Sequence, residues 1–343
     1  MSERFSWVPD LEQGEWLRPL EAERFGSILS IVTRGFEAYA RVFHPVDRDR
    51  PRETGTWQRI DEATYFDGVG DIAALLEMER TTWGNAAASC GATMHPEARY
   101  ARLVRRDHGS SQRAIGADGW RYGDPREGCL DATPLTAASV VLARHTATPA
   151  DGIAAVWDGW GGLSSSAGVA YLVCETPSAQ STGETVGQVA GPPLLGRLVA
   201  AVGQGISRSR SMIGSLPGLA RHDPKPGSGL LAREVAAGPR FALHGGTGRN
   251  YVLFEVGATD FAEAGWPGRA PWVDEVGWAQ SPSILWPEDH AWVLATGIDF
   301  ASTIVAGTTA LIRELVRTSG LEVLPIRTDA DLTWDGDVLN RPK

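Results

Sequence analysis

The sequence predicts an α+β fold, a largely antiparallel sheet with packed helices and a Gly/Ser/Pro-rich insertion. Three observations carry that expectation. Strand-like runs cluster toward both ends of the chain, stretches with helical spacing lie between them, and no regular strand–helix alternation is visible. We expect one domain over residues 1–343, including a low-complexity insertion at 164–239 and a polar C-terminal tail at 329–343.

The elements follow in order. SILSIVT (27–33) and FEAYARVF (36–43) suit two strands of a hairpin joined at Arg34-Gly35, and His44-Pro45 ends the pairing because proline has no N–H to donate. A helix is expected over 71–80, with Asp71 as its cap, and a shorter one from Pro96 to Arg105. Residues 107–131 are polar and Gly-rich, a loop with at most one short strand near Trp120. The clearest helix begins at Thr133-Pro134 and carries an apolar stripe of Leu135, Ala138, Val141, Leu142 and His145. It stops before Thr148-Pro149, since the residue before proline disfavours helical geometry. Ile153 to Trp157 reads as a buried strand. Within the insertion, 194–202 is compatible with a helix. RFALHGGTGRNYVLFEVG (240–257) reads as two strands about a Gly-rich turn, HAWVLAT (290–296) as a strand, and Thr308 as the cap of a final helix.

Composition narrows the function classes. A net charge of −10 argues against nucleic-acid binding, which needs clustered cations. Arg99, Arg102, Arg105 and Arg106 share helical spacing, and we read them as a solvated helix face. Three scattered cysteines with no Cys-x-x-Cys pair suggest neither a zinc site nor a disulfide framework. With no signal-like start and no bilayer-length apolar run, a soluble cytoplasmic protein is expected. The 13 tryptophans imply either aromatic-rich packing or a pocket.

The chemistry-bearing candidates are few. GGTGRN (245–250) joins two strands and lacks the Lys-Ser/Thr of a phosphate loop. GLSSSAG (162–168) lacks the Gly-x-Ser-x-Gly spacing of a nucleophile elbow. Dispersed histidines and the incomplete DADLTWDGD (329–337) give no metal site, and no cofactor is expected. Candidate ligand-binding residues are Trp157, Asp158 and Trp160 in AVWDGWGGL, His145 at a helix end, and Asp299, Ser302 and Thr303 between a strand and a helix cap. Small hydroxylated residues there suit a polar ligand, and equally a turn and a cap. His145 has the same two readings, since a helix-terminal histidine also suits backbone carbonyls.

Four segments, GFEAYARVFHPV (35–46), HTATPADGIAAVWDGWG (145–161), RNYVLFEVGA (249–258) and QSPSILWPEDHAWVLATGIDFASTIVAG (280–307), stand in this order. Together they resemble a family of uncharacterised proteins from GC-rich bacteria. The resemblance spans most of the chain outside the insertion and implies no activity or catalytic residues. The function expected from the residues is a non-catalytic binding protein, immunity-like or regulatory, acting through an acidic, Trp-containing surface on a protein partner. The alternative is a hydrolase or transferase of small molecules or carbohydrates. In it Trp157 and Trp160 line a cleft, and Asp158, Asp299 or Glu288 supplies acid–base chemistry.

Overall fold

The computed structural model describes residues 4–67, 71–105, 113–165, 227–246 and 249–341. The insertion expected at 164–239 falls mostly outside these residues, and the stretch 194–202 falls wholly outside them. The chain divides into two compact units, one of Met1–Asp158 with Pro239–Lys343, the other of Gly159–Gly238.

The first unit is built on antiparallel pairing throughout, so the α+β class holds. Its strands are β1 (Ser6–Val8), β2 (Ala38–Phe43), β3 (Val46–Pro51), β4 (Leu76–Thr81), β5 (Ala114–Ile115), β6 (Arg121–Tyr122) and β7 (Gly152–Trp157). Then come β8 (Phe241–Leu243), β9 (Arg249–Glu255), β10 (Ile284–Pro287), β11 (Val293–Thr296), β12 (Ser302–Gly307) and β13 (Glu322–Ile326). The main sheet runs β1-β9-β7-β10-β11-β12-β2-β13, with β8 also on β9, and a smaller sheet runs β4-β3-β6-β5. One register row crosses the main sheet as Leu253, Ala155, Ile284, Ala295, Ile304, Arg41 and Leu324. Helices Ala132–Leu142, Ala258–Phe261 and Thr309–Val316 pack together, the last of them against β2, β12 and β13. The main core gathers Leu17 and Leu20 from the 3-10 segment Leu11–Ala22 with Ile284, Trp286 and Ile304 from the sheet. Full burial of each such side chain contributes about 1.5–3 kcal/mol.

Local signals place several elements as expected. The helix 132–142 continues as a 3-10 turn to His145, although Asp131 rather than Thr133 occupies the cap position. β8 and β9 form the expected hairpin, paired Leu243 to Arg249. Thr308 caps the helix Thr309–Val316 by accepting a hydrogen bond from the Leu311 N–H at 3.2 Å.

Other elements differ. Residues 27–33 form no strand: Ser27 caps a 3-10 turn, Ile28–Ser30, whose residues are all buried. A short apolar run has no periodicity to separate a strand from a buried turn. β2 therefore has no hairpin partner at 27–33 and pairs with β12 and β13. The helix expected over 71–80 is one turn, Ile72–Leu75, after which the chain becomes β4. There Glu77, Glu79 and Arg80 stand opposite Arg50, Arg48 and Asp47, and each pair forms an ion pair. Cross-strand charge pairing thus outweighs a weak helical pattern. The helix expected over 96–105 spans only Tyr100–Leu103.

The last residues are polar in composition but not solvated throughout. Leu332 and Asp337 are fully buried, and Asp337 accepts hydrogen bonds from the Arg99 N–H at 2.9 Å and from Asn340, with His95 Nε2 at 2.8 Å. Desolvation alone would raise the Asp337 pKa, but these donors outweigh it and hold the carboxyl below its ordinary value. Arg102, expected on a solvated face, is buried, donates to the Asp337 carbonyl and stacks on Trp334. Arg106 lies outside the described residues.

In the second unit the described residues pair two short segments. Leu230 and Leu231 N–H groups donate to the Gly162 and Leu163 carbonyls, and the helix Arg233–Ala237 follows.

Candidate functional site

The residues singled out from the sequence do not converge on one point. Trp157 ends β7 and packs half-buried against the main core. Asp158 follows it, donates its N–H to the Asn250 carbonyl and pairs with Arg240 at 3.2 Å. Asp299 lies in the β11–β12 connection at the same sheet end, exposed and 4.0 Å from Arg249. Ser302 and Thr303 are not in a loop but are buried at the start of β12, facing opposite sides of the sheet. Ser302 Oγ accepts from Arg41 Nε at 2.8 Å, whereas Thr303 Oγ1 meets His44 Nε2 at 2.9 Å and Thr296 Oγ1 at 2.7 Å. His145 lies beyond the opposite strand ends, and its Nε2 meets the Glu314 carboxylate at 2.6 Å rather than backbone carbonyls. Trp160, half-buried, belongs to the second compact unit.

A cleft forms elsewhere. Trp16, Pro19, Leu20, Leu29, Phe36 and His290 line a cavity of about 420 Å³, with Thr33 and the Glu23–Arg34 pair at its polar edge. That volume falls within the range of ligand pockets. Its aromatic wall is built by stacking: the Trp16 and His290 rings lie 4.4 Å apart at 23°, and Trp16 meets Trp286 edge-on at 5.8 Å. At the edge, Arg34 Nε and Nη2 reach the two Glu23 oxygens at 2.7 and 3.1 Å, a forked pair.

His290 is held in place by its neighbour. Its backbone φ is +52°, a left-handed conformation that costs a non-glycine residue energy. Asp289 fixes that turn, accepting from Thr146 Oγ1 and the Ala147 N–H at 2.7 Å and from the Ala291 N–H at 3.1 Å. Desolvation would raise the Asp289 pKa, but these donors prevail and lower it. Desolvation also lowers the His290 pKa, with Asp289 opposing, so the stacked ring is neutral at pH 7. The strained turn is therefore pinned from the segment that follows His145.

Sequence reasoning misses this cleft because its walls come from opposite ends of the chain. Trp16 sits on an irregular 3-10 segment with Pro19 inside it, which has no helical periodicity to reveal a face. The tryptophan count is the one available signal. Seven of the 13 are buried, six are partly buried and none is exposed, so most of them build the core.

No family model, curated protein or solved structure matches the chain. That result is consistent with the resemblance to an uncharacterised family and gives no support to its link with GC-rich bacteria. Among the described residues, no helix is long and apolar enough to cross a membrane.

Proposed function

We propose that this chain is a cytoplasmic, non-catalytic binding protein that docks a protein partner by seating an apolar side chain in the Trp16–His290 cleft. The observation that carries the reading is the cleft itself: an apolar cavity whose aromatic wall is fixed before any ligand arrives. Such preorganisation lowers the ordering cost of binding. Tryptophan is also among the residues most enriched where binding energy concentrates. The net charge of −10 favours a basic partner through faster encounter.

Affinity capture from native lysate with the wild type, Trp16→Ala and Phe36→Ala tests this. A stoichiometric partner held by the wild type and lost by both variants is the expected result. Repeated capture with no stoichiometric partner overturns it. Turnover of chromogenic glycosides or esters by the wild type would replace it with the hydrolase or transferase reading, in which Asp158, Asp299 or Glu288 does the acid–base work.

A further inference from the structure

Arg249 opens β9 at the sheet end that also holds Asp158 and Asp299. Its side chain is only 15% exposed, yet its one ion-pair partner among the described residues is Asp299 at 4.0 Å, whose own side chain is 61% exposed. An exposed carboxylate at that distance gives little stabilisation, and no guanidinium nitrogen of Arg249 is among the buried donors that lack a partner, so the fork is open to a ligand from solvent. Beside it stands an uncovered ring. The guanidinium carbon lies 6.0 Å from the Phe25 ring centre, Phe25 is 61% exposed, and its far neighbour is Phe300 at 6.3 Å. His244 completes the surroundings, its pKa lowered by desolvation and then by Arg249, so at neutral pH it adds no competing positive charge.

A fork of donors with one weak partner, next to an exposed phenyl face, matches one kind of ligand. We propose that Arg249 and Phe25 form a binding site for a carboxylate carried on an aromatic or aliphatic group. The carboxylate would take the fork in place of Asp299, and the apolar part would cover Phe25. Two parallel N–H···O contacts account for the preference for a planar carboxylate. This site is independent of the Trp16–His290 cleft, so either can fail without the other.

The test titrates the full chain with benzoate, with neutral benzamide and inorganic phosphate as comparison probes, followed by calorimetry. Benzoate should bind and benzamide should not. Arg249→Gln should weaken benzoate roughly tenfold or more, as expected for loss of a charge-assisted fork. Asp299→Asn, which removes the competing carboxylate, should tighten it, an effect that a merely structural role for Arg249 would not produce. Phe25→Ala should weaken benzoate more than acetate. Equal binding of benzoate and benzamide, or an unchanged affinity in Asp299→Asn, overturns the proposal. Tighter binding of phosphate than benzoate overturns the carboxylate class.

Discussion

Replacing His44 with asparagine should remove most of one step in the acid sensitivity of this fold. His44 follows β2 and is 1% exposed. Its Nδ1 lies 2.6 Å from the Arg126 carbonyl, which can only accept, so Nδ1 carries the proton. Nε2 then accepts from Thr303, leaving Thr296 to donate to Thr303. Burial pushes the imidazole pKa from 6.5 down to about 4. A depressed folded-state pKa means that the unfolded chain takes up the proton first. The stabilising contribution of neutral His44 is thus complete above pH 6.5 and is lost as pH falls toward 4. Between pH 7 and pH 4.5 the loss is about 2.5 kcal/mol, since each tenfold difference in proton affinity between the two states is worth about 1.4 kcal/mol. Urea unfolding followed by tryptophan fluorescence reads it. The substituted carboxamide can still donate to the Arg126 carbonyl but cannot titrate, and every other group titrates alike in both proteins. The stability gap between wild type and His44→Asn should therefore shrink by about 2.5 kcal/mol over that interval. A gap that stays constant with pH would refute the assignment of a buried, neutral imidazole.

Two further outcomes test the fold. Thr308→Ala removes the hydroxyl that receives the Leu311 N–H and should cost about 1 kcal/mol in urea unfolding, with little change in circular dichroism. Gly152→Ala places a methyl against the Trp286 carbonyl oxygen and 3.0 Å from Pro287 Cα, both backbone atoms of β10. The two strands must separate to admit it, so about 1–3 kcal/mol should be lost, visible as a lower thermal midpoint.

How much is legible depends on how far each signal reaches along the chain. The β8–β9 hairpin, the helix 132–142 and the Thr308 cap are specified by residues within a few positions of one another, and each is readable. β2 is readable as a strand because Ala38, Ala40 and Val42 alternate with Tyr39, Arg41 and Phe43, but its partners β12 and β13 lie far along the chain and leave no local mark. Residues 71–80 mislead because Ile72, Leu75 and Leu76 fit a helix for one turn, while the charges that fix β4 find their partners on β3. Asp337 reads as a solvated acid because His95 and the Arg99 N–H that meet it come from a distant loop. The cleft is hidden for the same reason, since neither Trp16 nor His290 has a neighbour in sequence that announces the other.

The position of β2 between β12 and β13 has a consequence for the chain as it is made. Ala38 pairs with Gly307, and Phe43 pairs with both Ser302 and Glu322. A ribosome adding about 5–20 residues per second leaves β2 unpaired on both edges for roughly tens of seconds. During that time a strand with apolar residues on both faces must be kept from other chains, and the main sheet can complete only once its last strands emerge. The strand order therefore leaves both edges of β2 open to other chains until synthesis is nearly done, however stable the finished protein proves.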